Sequence, residues 1–217
     1  MEKILRGMVN TMNAVKPPRM TALMELHEAE TGGPLSILIG TILSARTRDE
    51  NTSAVVKKLF SKYKTAHSLA KANVSDVERI IKSTGFYHVK ARRIIEVASL
   101  IDSEYAGKVP DSLDELLKLP GVGRKTANCV LVYAFEKPAI PVDTHVHRIS
   151  NRLGLVKTKT PEETEFALME KIPKKYWLKI NDTFVMYGQN ICKPISPLCN
   201  VCQIKKMCKY YKTRLSS

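Results

Sequence analysis

Lys125 and Asp143 are the two side chains whose type and setting best suit covalent chemistry on a phosphate-bearing substrate. Lys125 stands two residues past the second glycine of Gly121-Val122-Gly123, beside Arg124. Glycines one residue apart permit a sharp turn and bring backbone N–H groups against a ligand. The helix that follows presents its positive end to the same place. A phosphate diester suits such a turn, and an ordinary connection between two helices is the plainer alternative. An ammonium in that first helical turn is disfavoured by the helix-end potential and by Arg124. The amine is therefore expected to have a lowered pKa and nucleophilic character, where most lysines are merely solvated or paired with phosphate. Asp143 follows Pro141 and opens another helix, so its default role is an N-cap. A carboxylate fixed by backbone donors can also assist an amine nucleophile or stabilise positive charge growing on a sugar ring. His145 and His147, two residues apart, cannot share a helical face and read as core or surface residues, not metal ligands.

Four of the five cysteines fall in the pattern Cys192-x6-Cys199-x2-Cys202-x5-Cys208. Such density is hard to explain by packing. Structural zinc favours two Cys-x2-Cys knuckles separated by a longer loop, so the spacing points to a [4Fe-4S] cluster before zinc, disulfides or free thiols. A loop organised in that way would hold Lys205, Lys206 and Lys209 as one rigid basic patch against a phosphate backbone. Cys129 stands apart and reads as core.

These residues need a scaffold, and composition bounds it. The 217 residues carry a net charge of +14, with 44% hydrophobic and 26% charged residues and only 10 Gly and 11 Pro. Collagen-like, low-complexity and disordered chains are excluded. Residues 139–217 hold 14 Lys or Arg against 6 acids, so the charge is concentrated toward the cysteines and favours nucleic acid over an anionic membrane. Met1 to Asn10 lacks the apolar core of a secretion signal. Pro34 to Ala45 is too short for the roughly 20 residues of a membrane span and reads as a buried helix. Apolar residues recur at helical spacing, as in Ile94, Val97, Ala98 and Ile101, or Val55, Val56, Leu59 and Phe60, and no strand alternation is evident. An all-α protein of roughly ten helices is expected. Asp111 to Lys118 and Arg124 to Phe135 form the two arms around the glycine turn. Ser75-Asp76-Val77-Glu78 has capping-box spacing, and Pro161-Glu162-Glu163 places Pro and acids in a first turn. No flexible linker appears, so any two lobes are expected to pack together, with a groove between them as the natural site.

The run Leu119-Pro-Gly-Val-Gly-Arg-Lys125-Thr-Ala-Asn128, the run Val142-Asp143-Thr-His145 and the four-cysteine tail, in that order, resemble the endonuclease III family over nearly the whole chain. The resemblance implies a helix-hairpin-helix DNA glycosylase with associated abasic-site lyase activity, acting on oxidised pyrimidines in duplex DNA. It implies a six-helix domain over residues 26–137, containing the helix-hairpin-helix at 111–135, and a [4Fe-4S] cluster domain from residues 1–25 and 138–217, with DNA across the cleft between them. Lys125 then matches the nucleophile and Asp143 the catalytic carboxylate. Gly121, Val122, Gly123 and Arg124 match the phosphate-gripping hairpin, and Cys192, Cys199, Cys202 and Cys208 the cluster ligands. The family fills the hole left by a flipped nucleotide from two loops that align with Leu43 to Asp49 and Gly85 to Lys90. Arg46 stands where a glutamine is usual and Phe86 where a leucine is usual. Phe86 remains a competent apolar wedge, and Arg46 is able to reach phosphate or the orphaned base. A core aromatic and a solvated charge are the plainer readings of the two.

Expected partners are duplex DNA with damaged bases or abasic sites and no membrane, for a monomer in the cytoplasm, associated with the nucleoid. Two rivals stand beside this reading. A thymine- or adenine-mismatch glycosylase of the same superfamily shares the hairpin, although the adenine-specific enzyme usually has another residue at the position of Lys125. A non-catalytic Fe-S or zinc DNA-binding module needs neither Lys125 nor Asp143.

Overall fold

The computed structural model describes residues 1–15, 20–29, 33–45, 47 and 49–215. Among these residues the chain is all-α, with thirteen α-helices, two short 3-10 turns and no strand. It divides into two compact units, one of residues 21–137 and one of residues 1–20 with 138–217.

Helix α1 (Glu2–Val15) belongs to the second of these units. The first holds α2 (Ala22–Glu28), α3 (Gly33–Ser44), α4 (Asp49–Lys62), α5 (Ala66–Ala70), α6 (Val74–Ile81), α7 (Tyr87–Glu104), α8 (Leu113–Lys118) and α9 (Arg124–Phe135). Its centre is α3, in which every residue from Leu35 to Leu43 is buried. A helix apolar all round has no solvent face to offer, so its neighbours wrap it: α2, α4, α7 and α9 all pack against it. The hydroxyls of Ser36, Thr41 and Ser44 are accommodated by donating back to the carbonyls of Gly33, Ile37 and Thr41, each at 2.8 Å. On α7 the stripe of Ile94, Val97, Ala98 and Ile101 is fully buried, and on α4 Val55, Val56, Leu59 and Phe60 face the core.

One helix start differs from expectation. Helix α6 is capped by Asn73, whose side-chain oxygen accepts from Ser75 N at 2.9 Å, and not by Ser75. Glu78, the expected capping partner, instead pairs with His88 at 2.9 Å. An Asn cap two residues upstream binds the first free N–H groups before Ser75 is reached. Thr160 caps α11 with Pro161 in its first turn, followed by Glu162 and Glu163.

The other unit adds α10 (Thr144–Leu153), α11 (Pro161–Lys171), α12 (Trp177–Asn190) and α13 (Lys209–Leu215) to α1. Helix α12 packs against α1 and α10 around Met8, Met12, Val146, Ile149, Ile180 and Phe184. Its polar groups are satisfied inside: Trp177 Nε1 donates to Ile172 O at 2.8 Å and Asn181 Nδ2 to Pro141 O at 2.9 Å.

Candidate active site

The glycine turn lies in the unit of residues 21–137. Helix α8 starts at Ser112, whose hydroxyl accepts from Glu115 N, and ends at Leu119 in extended backbone. Gly121 then takes φ +74°, the left-handed region, while Val122 is buried and donates its N–H to Leu119 O at 3.1 Å. The turn is closed by one buried valine and turned by one glycine. A side chain at 121 is excluded twice over, because a Cβ there would also lie 2.8 Å from Arg93 Nη1. Arg93, on α7, thus brings a guanidinium against the hairpin, a placement unexpected from the sequence. Gly123 is exposed and precedes α9 with no side-chain cap, and a Cβ there would meet nothing within 4 Å. The first N–H groups of α9 have no carbonyl of their own helix to reach, and no side chain at the N-cap position serves them. Half-buried Arg124 and Lys125 are the first two residues of that helix.

In the same unit Phe86 is exposed (61%) and left-handed (φ 59°, ψ 34°), immediately before α7. It is not the core aromatic that the plainer reading offers. Arg46 lies outside the described residues. Lys90, one turn into α7, is buried and donates to Leu43 O, Ala45 O and Thr47 Oγ1 at 2.8, 2.7 and 2.9 Å, and burial pushes its pKa down. Sequence reasoning passed over it because a lysine at that register reads as a surface charge.

The second unit carries Asp143, half-buried at the start of α10. Its Oδ1 accepts from His145 N at 2.9 Å and from Val146 N at 2.8 Å. The expected N-cap is present, and it holds the carboxylate in one orientation. Arg148, one turn on, donates through Nη2 to His145 Nδ1 at 3.0 Å. The same guanidinium nitrogen also donates to Gly188 O at 3.1 Å.

The cysteine segment departs from expectation. Cys192, Cys199, Cys202 and Cys208 form no disulfide and line one cavity. Among the described residues no three Cys, His, Asp or Glu side chains are grouped so as to hold a metal ion. The sulfurs serve other partners. Tyr187 O–H donates to Cys202 Sγ at 2.9 Å, Arg152 Nη1 to Cys192 Sγ at 3.5 Å, and Cys208 Sγ donates to Arg152 O at 3.3 Å. Burial pushes the Cys208 thiol up, which favours its protonated form. Thiols not grouped to hold a metal ion do not form the site of the [4Fe-4S] cluster expected from the spacing.

Protein–protein bonds order the segment instead. Arg148 donates to Cys192 O at 2.9 Å, and Arg152 to Lys193 O and Pro194 O at 2.7 and 2.8 Å. Ile204 packs so closely on α1 that a Cβ at Gly7 would collide with its Cγ2. Of the three lysines expected to form a basic patch, Lys206 and Lys209 are exposed, while Lys205 Nζ is tied to Asn200 O at 2.8 Å.

Residues 39–174 match the family model of the HhH-GPD superfamily base excision DNA repair proteins. The chain is 56% identical over 181 residues to endonuclease III of Thermotoga maritima, covering 83% of this chain and 85% of that one. Two solved structures match it almost end to end. A non-covalent endonuclease III–DNA complex has a TM-score of 0.85 at 36% identity, covering 100% of this chain and 97% of that one. A trapped endonuclease III–DNA covalent intermediate, described as an estranged-adenine complex, has a TM-score of 0.82 at 36% identity, covering 99% and 96%. The chain belongs to the endonuclease III family within the HhH-GPD superfamily.

Proposed function

We propose that this chain is a bifunctional DNA glycosylase and abasic-site lyase of base excision repair that removes oxidised pyrimidines from duplex DNA. The observation that carries the reading is the end-to-end likeness to an endonuclease III trapped as a covalent intermediate with DNA. A covalent intermediate needs a nucleophile. In this chain Lys125 is the second residue of a helix whose N-cap, Gly123, offers no side chain.

With the damaged nucleotide out of the stack, the Lys125 amine attacks C1′ and the base departs with the bonding electrons of the glycosidic bond. The nitrogen loses its proton, the sugar ring opens, and an imine joins Lys125 to C1′. Loss of a proton from C2′ then expels the 3′ phosphate by β-elimination, and water releases the enzyme. Asp143, held by two backbone donors, is the carboxylate that stabilises positive charge on the sugar and accepts a proton. Gly121, Val122, Gly123 and Arg124 grip a phosphate, and Phe86 fills the space the nucleotide leaves. Lys206 and Lys209 add to the electrostatic footprint, and with the net charge of +14 they support steep salt dependence of DNA binding.

Duplex DNA is the partner, and no helix among the described residues is long and apolar enough to cross a membrane. The protein works as a monomer in the cytoplasm, on nucleoid DNA. Borohydride trapping on an abasic duplex, together with base release from thymine glycol, dihydrouracil, uracil and mismatched thymine duplexes, tests the reading. A trapped adduct with release of the oxidised pyrimidines is expected. An adduct with release of mismatched thymine alone would move the specificity to the mismatch class, and absence of any adduct from the wild type would refute lyase action.

A further inference from the structure

We propose that Lys90 is a positioning residue that locks the C-terminal end of α3 to the turn bearing Phe86, so that both move as one body when a nucleotide is extruded. The proposal rests on the function just given, and it concerns a residue that touches neither DNA nor the reacting atoms.

Lys90 is 7% exposed, and its ammonium has three donors. All three are spent on neutral oxygens of one short stretch: Leu43 O at 2.8 Å, Ala45 O at 2.7 Å and Thr47 Oγ1 at 2.9 Å. Helix α3 ends at Ser44, so these carbonyls belong to the helix end where intrahelical donors run out and where a cation is favoured by the backbone dipoles. Thr47 N also donates to Ser44 O at 3.0 Å.

At its other end Lys90 belongs to the Phe86 turn. Its own N–H donates to Phe86 O at 3.0 Å, the first hydrogen bond of α7. Phe86 holds a left-handed backbone with its ring in solvent, and Val89 beside it is also exposed (62%). A left-handed backbone is strained for a residue as bulky as Phe86, and such strain persists only where the surroundings over-determine it. Lys90 is the residue that connects this turn to the end of α3 by three short bonds. An apolar side chain of equal length would fill the same volume without desolvating a charge, so what the ammonium adds is the geometry of its bonds.

The test is a double-variant cycle with Phe86→Ala and Lys90→Met, read as single-turnover release of thymine glycol from two substrates. One is a fully paired duplex. The other carries the lesion in a bubble of unpaired bases, where the cost of extrusion is already met. On the paired duplex each single variant is expected to slow release by about tenfold and the double variant no more than the slower single, the signature of coupled residues. On the bubble, Lys90→Met is expected within about twofold of the wild type, because catalysis itself is untouched. A purely structural lysine would slow both substrates alike.

Equal losses on the two substrates, or losses that multiply in the double variant, overturn the proposal. Should Lys90→Met fail to fold, Thr47→Val removes one acceptor and is expected to give the same substrate dependence at smaller size. Its absence overturns the proposal equally. A wild type that releases no base from either substrate refutes the function itself, and the coupling with it.

Discussion

Two helix starts, one in each unit, solve the same local problem in opposite ways. Helix α10 begins with Asp143, whose carboxylate accepts from two of the first backbone N–H groups. Helix α9 begins with Gly123, which offers no side chain at all. Four N–H groups at the start of any helix need acceptors from elsewhere. At α10 the chain supplies the acceptor, and the helix start is finished before any ligand arrives. At α9 the N-cap position supplies no side chain, and Arg124 and Lys125 stand in the turn where added positive charge is least welcome. A start that is poor for stability is a good one for gripping a phosphate and presenting an amine. Under the proposed function the difference teaches that α9 is built for a partner and α10 for itself, with a second role for the capping carboxylate.

The sharpest way to break that contrast is Lys125→Gln. Strand cleavage and borohydride trapping are expected to fall by about 10³-fold or more, while thermal stability stays level or rises by about 0.3–1 kcal/mol as a cation leaves a helix N-terminus. Measured on the same sample, chemical activity must fall while the melting temperature does not. Asp143 separates its two roles by a pair of variants. Asp143→Asn keeps a good cap and should cost little stability, whereas Asp143→Ala should cost about 0.5–2 kcal/mol by denaturant titration. Both should lower single-turnover base release by about 10²-fold, because both lose the charge. If Asp143→Asn retained full activity, the carboxylate would be a cap alone.

A smaller effect is expected at the turn itself. Gly121→Ala forces a side chain into left-handed backbone and against Arg93, at a cost of about 1–3 kcal/mol. DNA affinity should fall with it, while Gly123→Ala, whose Cβ meets nothing, should leave the fold intact.

The smallest effect concerns the outer arm of the hairpin. Lys118 first, then Tyr105, holds the Glu115 carboxyl below the ordinary glutamate value of 4.5. A carboxyl whose folded pKa is depressed contributes stability that is present above the unfolded value and lost as pH falls through the folded one. Glu115→Gln should therefore lower the melting temperature slightly above pH 4.5 and not at all well below it. The exposure of the group keeps the difference small.

Much of this site was legible in the sequence because its parts are local. Gly-x-Gly, the Asp after Pro141 and the aromatic at Phe86 each depend on residues within one or two turns of each other. Asn73 was missed as the cap of α6 because Ser75 with Glu78 offered the same signal two residues later. Glu78 then found His88, ten positions on, which no capping pattern anticipates. The cysteines mark the opposite limit. Their spacing describes a loop able to close around a cluster, but thiol–thiol geometry is set by what else packs there. In this fold Arg148 and Arg152 from α10 bind the carbonyls of that loop, and Tyr187 and Arg152 bind its sulfurs.

The linear order of residues therefore determined the all-α class, the buried character of α3, the hairpin and its adjacent lysine, and the cap at Asp143. Each of these follows from periodicity or from hydrogen bonds reaching three or four positions along the chain. Tertiary structure alone decided that Lys90 spends its ammonium 43 to 47 residues away, that Arg93 leans on Gly121, and which groups the cysteine sulfurs meet. A long polar side chain has many acceptors within reach in an unfolded chain. Only packing, by removing water and fixing the backbone, leaves it one set to satisfy.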